Sequence, residues 1–254
     1  MEHDTLNAAL YDADELLYKV CRVCEQETGV TGELQVSSDV DSIHRMIEQE
    51  IQLCKERLQV DAVHFALSDK DGYFRRDIYP PYKRNRKDVR KPLGFWKTRD
   101  WLVQEFVTYD WELLEADDVM GILTTEYEVI VSSDKDMKTV PGTFYSPYHD
   151  RRYTSSPEQA DWYFLYQTLM GDSTDGFPGC PGIGAKKAER ILNDIVRIPG
   201  TINPDEFDSC WGSVVETYEK AKKREDPVKQ AICARILRPG EGGPKTIKLW
   251  EPPF

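Results

Sequence analysis

An α/β fold with a mainly parallel central sheet, continued by a helical region, is what this sequence predicts. Three observations carry the expectation. Short apolar runs alternate with helical patterns through the first half of the chain, the arrangement of a parallel sheet with helices on its faces. The three strand-like runs each end in acid, at Asp12, Asp69 and Asp134. From about residue 157 the pattern turns helical. The 254 residues suffice for one large domain or two small ones.

Taken in order, "NAALY" (7–11) is the first strand, and a helix with Leu16, Val20 and Val23 on one stripe follows. "DSIHRMIEQEIQLCKERL" opens on a cap signal at Asp41 or Ser42. It carries Ile43, Met46, Ile47, Ile51, Cys54 and Leu58 at helical spacing. "AVHFAL" (62–67) reads as a buried strand. Pro80 and Pro81 suit the first turn of a helix, which "YKRNRKDVRK" continues to Pro92. "TRDWLVQEFV" and "EADDVMGILTTEY" read as helices, and "YEVIVSS" (127–133) as a strand. Four helical stretches follow: "PEQADWYFLYQTLM", "AKKAERILNDI", "PDEFDSCWGSVVETYEKAKK" and "DPVKQAICARIL". The tail "RPGEGGPKTIKLWEPPF" is irregular. The expected organisation is an α/β core over 1–156 and a helical region over 157–254.

Hydrophobic content is 40% and charged content 31%, a globular balance, and no apolar run approaches the roughly 20 residues of a membrane helix. No signal peptide is legible at the N-terminus, and six cysteines make no disulfide framework, so a reducing cytoplasm is expected. Cys21 and Cys24 form a C-x-x-C with no second pair to complete a zinc site. The net charge of −12 argues against nucleic acid when taken as a total. Its distribution argues otherwise. Between Arg75 and Arg99 lie Arg75, Arg76, Lys83, Arg84, Arg86, Lys87, Arg90, Lys91, Lys97 and Arg99, against only Asp77 and Asp88.

The acid gathers in four places: Asp12; "EADD" with Glu115, Asp117 and Asp118; "SSDKD" with Asp134 and Asp136; and "GDSTD" with Asp172 and Asp175. Any one of these is an ordinary helix cap or turn. Together, eight carboxylates facing the crevice at the carboxyl edge of a sheet require cations, and oxygen donors suit Mg²⁺ or Mn²⁺. A pair of such ions activates water and stabilises the leaving oxygen in phosphodiester cleavage.

In order and spacing, "YKRNRK", "EADDV", "SSDKD" and "GDSTDGFPGCPGIGAKKA" resemble the structure-specific 5′-nuclease (flap endonuclease) family, most of all its stand-alone bacteriophage 5′–3′ exonucleases. The resemblance runs from Asp12 to about Leu192. It implies metal-ligand roles for Asp12, Glu115, Asp117, Asp118, Asp134, Asp136, Asp172 and Asp175, with Asp117 and Asp134 central to catalysis. It also implies an acid at the end of the second strand. An ungapped count places Ser68 there; a one-residue deletion places Asp69, the assignment preferred here.

The resemblance further implies a helical gateway over residues 75–99. Its cations Lys83 and Arg86, with Arg84 beside them, contact the scissile phosphate, and Tyr82 stacks on a terminal base. The glycine-rich stretch resembles a helix-three-turn-helix. Gly179, Gly182 and Gly184 let backbone approach a phosphate, Lys186 and Lys187 add charge, and the carbonyls can hold K⁺. The expected function is a Mg²⁺-dependent 5′–3′ exonuclease or flap endonuclease. It acts as a monomer, away from membranes, on duplex DNA with a 5′ end, nick or flap, in the host cytoplasm if phage-encoded. The alternatives are ribonuclease H-like primer removal from RNA–DNA hybrids and a non-catalytic DNA-binding protein. Retention of the acids argues against the second.

Overall fold

The computed structural model describes residues 6–30, 33–221 and 225–254. β1 (Leu6–Asp12) lies inside a six-stranded sheet, and its last residue caps α1 (Ala13–Val23), Asp12 Oδ1 accepting from the Glu15 N–H at 3.0 Å. Leu16 and Val20 are buried as expected, but Val23 is exposed, because the chain leaves the core there. It enters an antiparallel hairpin of β2 (Glu25–Val30) and β3 (Glu33–Ser38), which the sequence reading lacked. α2 (Val40–Leu58) is capped by Asp39, earlier than Asp41 or Ser42, and Gln59 closes it in the left-handed conformation. Ile43, Ile47, Cys54 and Leu58 are buried, while Met46 lies at the edge of the stripe.

β4 (Ala62–Leu67) and the short α3 (Phe74–Ile78) follow. The expected gateway helix from Pro80 to Pro92 is absent. The segment is a series of turns with one 3-10 turn at Arg84–Arg86. Two physical reasons are visible. The run of bases offers no apolar stripe to pack, and Lys83 is pulled into the left-handed region (φ 50°) as its N–H donates to the Asp175 carbonyl at 2.7 Å. α4 (Phe95–Glu105) leads to β5 (Thr108–Asp110), another strand the sequence reading missed. α5 (Ala116–Ile122) starts after Glu115 and ends before "TTEY", whose Tyr127 already belongs to β6 (Tyr127–Val131). A 3-10 helix (Lys135–Thr139) separates β6 from the unanticipated pair β7 (Gly142–Ser146) and β8 (Arg151–Ser155).

The sheet order is β5-β4-β1-β6-β7-β8, all neighbours parallel except β7 with β8. Alternation along β1 separates two cores. Ala9 and Tyr11 pack toward α1, α2 and α4, whereas Ala8 and Leu10 pack toward α5. The parallel strands bring Asp12, Ser68 and Ser132 to one edge, with Asp12 paired to Ala66 and Tyr11 to Val131.

Four helices follow: α6 (Pro157–Met170), α7 (Ala185–Asn193), α8 (Phe207–Glu219) and α9 (Pro227–Ala234). They share a core around Phe164, Trp211, Val214 and Tyr218. Ile232, Ile236 and Leu237 return to the sheet, and β9 (Gly242–Gly243) pairs with β10 (Thr246–Ile247) in the tail. Lys222 and Lys223, expected to extend the third of the helical stretches, lie outside the described residues, as do residues 1–5, the start of the stretch searched for a signal peptide. Among the described residues no helix is long and apolar enough to cross a membrane. All six cysteines are free.

Candidate active site

The acids divide into two sets by what surrounds them. Asp12, at the end of β1, accepts from the Ser132 hydroxyl at 3.3 Å. Burial and the neighbouring charge of Asp14 push its carboxyl up to about 8. Asp117, in the first turn of α5, is pushed well above the usual range by burial and by Asp134 and Asp12. Asp134 caps the 3-10 helix through the Asp136 N–H at 2.8 Å and is exposed. Asp136 is pushed up to about 7 by burial and Asp134, although Gln167 donates to it at 2.5 Å. These acids repel one another across the carboxyl edge of the sheet.

The second set is neutralised by lysine and arginine. Glu115 is buried, which raises its carboxyl, but Lys83 and Arg75 outweigh burial and hold it at about 2. Lys83 is itself buried. Its ammonium pairs with Glu115 and lies 3.4 Å from Asp175, and these acids raise its pKa against the effect of burial. Arg86 pairs with Asp175, and Lys135 with Asp172. Asp172 also accepts from the Thr174 and Asp175 N–H groups, closing its own turn.

Three expected roles do not fit this arrangement. Asp118 is fully buried with both oxygens engaged. It accepts from Arg75 at 2.6 and 2.7 Å, from the Leu237 N–H at 3.1 Å and from the Glu115 N–H at 3.3 Å. It is the anchor of α5 and the partner of a buried arginine, not a free metal donor. Asp69 accepts from the Asp71 N–H through one oxygen at 3.1 Å and from the Leu113 N–H through the other at 2.7 Å, so both oxygens are spent fastening loops. Ser68 is the strand-end residue that reaches α5, its hydroxyl accepting from the Ala116 N–H at 3.0 Å. Tyr82 is buried, and its hydroxyl donates to Glu115 at 2.9 Å, which leaves no face for a base.

The basic segment is likewise sorted by burial. Arg75 and Arg99 are interior, the latter paired with Asp110 at 2.8 Å, whereas Arg84 is exposed. Asp14 and Glu15 were missed. Asp14 accepts from the Ser68 N–H at 3.2 Å and Glu15 from the Ser133 N–H at 2.7 Å, tying three strand ends together. The dense acid of "YDADE" was the available signal.

The glycine-rich loop is sewn to the basic turn. Asn85 donates to the Ser173 and Thr174 carbonyls, at 3.4 and 3.1 Å, and Lys83 N–H meets the Asp175 carbonyl. Gly179 serves this packing. It has φ 64°, its N–H donates to Gln230, and a Cβ there would lie 2.3 Å from the Gly171 nitrogen. Gly179 is therefore committed to loop closure, not to an approaching phosphate. Gly182 and Gly184 face open space at the start of α7, with Lys186 and Lys187 exposed beside them. The Lys187 ammonium donates to the Gly182 carbonyl at 2.9 Å.

No protein-family model matches the chain. The exodeoxyribonuclease of Enterobacteria phage T3 is 33% identical to it over 219 residues, covering 74% of this chain and 72% of that protein. The chain belongs to the 5′-nuclease family. Within that family, the exonuclease of Escherichia phage T7 is 29% identical over 284 residues, covering 98% of this 5′-nuclease and 95% of its relative. The flap endonuclease Xni of Vibrio parahaemolyticus is 32% identical over 191 residues, covering 66% and 68%. The fold of the T5 5′-exonuclease, solved with divalent zinc, superposes with a TM-score of 0.62 at 16% identity, over 89% of this 5′-nuclease and 88% of that chain.

Proposed function

We propose that the protein is a divalent-metal-dependent 5′–3′ exonuclease and flap endonuclease that hydrolyses DNA phosphodiesters near 5′ ends and leaves a 5′-phosphate. The observation that carries the reading is the largely uncompensated set Asp12, Asp117, Asp134 and Asp136 at the carboxyl edge of the sheet, in which Asp136 alone has a cation within ion-pair distance among the described residues (Lys135, 3.7 Å), next to the buried ammonium of Lys83. Among the described residues no three side chains already form a metal-holding group. The donor chemistry nonetheless fits a hard cation. All donors are carboxylate oxygens, and their mutual repulsion is what a divalent ion relieves. Mg²⁺ is the proposed ion, with Mn²⁺ as a substitute; when bound it supplies an activated water and charge to meet the leaving oxygen.

The chain's own residues divide the remaining work. Asp12, Glu115, Asp117, Asp134 and Asp136 hold the ions, with Asp172 and Asp175 completing the site from the helical region. Lys83 and Arg86, now paired with Glu115 and Asp175, are the cations available to a scissile phosphate, where charge grows in the transition state. Gly182, Gly184, Lys186 and Lys187 at the start of α7 hold the duplex backbone without reading its sequence. The test is a gel with a 5′-labelled flap, a nick, a blunt duplex and an RNA–DNA hybrid, in Mg²⁺ and in EDTA. Cleavage confined to Mg²⁺ supports the reading, and full activity in EDTA removes it.

A further inference from the structure

A cleft of about 660 Å³ adjoins the acidic centre and shares Asp134 and Lys135 with it as lining residues. It lies between the 3-10 helix, the β7–β8 hairpin and the first half of α6, and apart from Asp134 none of the roles above uses its lining. Its size falls within the roughly 300–1,000 Å³ of ligand-binding clefts. Lys138, His149 and Arg151 line it. Among the described residues neither Lys138 nor Arg151 has a carboxylate within 4.0 Å, whereas neighbouring Arg152 pairs with Glu128 at 2.8 Å. Unspent cations facing one cleft are notable in a chain of net charge −12.

The lining is also aromatic, and its rings are held in place. Trp162 stacks on Tyr166 with centroids 5.1 Å apart, and its ring N–H donates to Asn193 at 3.0 Å. Tyr153 stacks on Phe144 at 5.3 Å. Tyr163 is half-buried, with the Lys138 ammonium 5.5 Å from its ring centroid. Cations with fixed aromatic rings in a concave site match a nucleotide strand whose bases are free. A duplex presents only its backbone and cannot place a base face against Tyr163 or Trp162.

We propose that this cleft holds one or two unpaired nucleotides of the DNA strand as it passes the acidic centre on the Asp134 side. Lys138 and Arg151 take phosphates, and the Tyr163 and Trp162 edge takes a base. The inference rests on the nuclease reading for its choice of DNA. It adds a sorting role: substrates with an unpaired strand gain a contact that blunt duplexes lack.

The test compares wild type with Lys138→Gln/Arg151→Gln by fluorescence anisotropy in EDTA, using a blunt duplex and the same duplex with a short 5′ oligothymidine tail. Both residues are exposed, so the variant is expected to fold, and a melting curve checks it. The tailed-to-blunt affinity ratio should fall at least about fivefold, and the salt slope for the tailed substrate should drop by about 1.4 for two single-strand phosphates. An unchanged ratio, or equal losses on both substrates, overturns the proposal. Iododeoxyuridine in the tail should photocross-link within residues 148–163; cross-links only elsewhere also overturn it. If the tail preference falls in the variant and the cross-links lie within residues 148–163, but wild-type protein cuts nothing in Mg²⁺, the nuclease reading fails and the cleft assignment stands.

Discussion

Adjacent carboxylates in α5 should respond oppositely to the same isosteric change. In metal-free protein, Asp118→Asn should be strongly destabilising and Asp117→Asn stabilising. Asp118 is fully buried and accepts from Arg75 twice and from two backbone N–H groups. An amide keeps one acceptor oxygen and turns two donors toward groups that are themselves donors. It also leaves Arg75 buried with Glu115 as its remaining acidic partner. Breaking a buried pair in this way costs about 3–5 kcal/mol. For a chain of this size each kcal/mol moves the midpoint by about 2–4 °C, so Tm should fall by roughly 6–20 °C. Asp117 has no cationic partner within ion-pair distance among the described residues, and it suffers repulsion from Asp134 and Asp12. Neutralising it should raise Tm by a few degrees in EDTA and abolish the stabilisation that Mg²⁺ confers on wild type. Melting curves of the three proteins, each in EDTA and in Mg²⁺, are the assay. A fall of equal size in both variants refutes the division of the acids into structural and uncompensated sets. So does an Asp118→Asn protein with unchanged Tm and lost metal response.

The same division sets a pH dependence. Asp12 and Asp136 titrate at about 8 and about 7 when folded, far above their ordinary values, so the folded state holds more protons than the unfolded between about pH 4 and 8. Stability in EDTA should therefore decline as pH rises through 6 to 8, and Mg²⁺ should flatten the decline; a rising curve in EDTA contradicts the assignment. Asp69→Ala should cost about 1 kcal/mol through its lost loop hydrogen bonds while leaving the Mg²⁺ concentration for half-maximal activity within about twofold. A tenfold change would return Asp69 to the metal site. Lys186→Ala with Lys187→Ala should flatten the salt dependence of duplex binding by nearly two slope units, at about 0.9 per phosphate contact. An unchanged slope in filter-binding or anisotropy titrations would make the start of α7 a plain connector.

The central strands and their terminal acids were legible because burial on both faces writes apolar runs, and the crevice requires carboxylates where those runs stop. β1 and β6 are of this kind; β4 was equally legible as a strand, but the acid expected at its end, Asp69, is taken up by loop N–H groups. The hairpin of β2 and β3 was not legible, since "EQETGV" and "ELQVSS" are mostly polar and take their structure from each other rather than from the core. β8, "RRYTS" at the edge of the sheet, lacked the signal for the same reason, whereas β7 buries Phe144 and Tyr145 but is too short, at five residues, to show an alternation. Charge was the least readable property. Arg75, Arg76 and Lys83 look alike in sequence, yet Arg75 and Lys83 are interior and Arg76 is exposed. Only the placement of Glu115, Asp118 and Asp175 distinguishes them, and those partners lie more than thirty residues away.

The seam between the glycine-rich loop and the basic turn makes two distant stretches one mechanical part. Backbone donates to backbone at Lys83 and Asp175, Asn85 spans two carbonyls, and Gly176 lies so near Pro81 that a Cβ would sit 2.9 Å from its carbonyl oxygen. With so little slack, the loop leading to α7 could not be displaced without carrying the Lys83 backbone along. Any duplex contact that moved the loop would therefore bear on Lys83, held at φ 50°, and on the balance of its ammonium between Glu115 and Asp175.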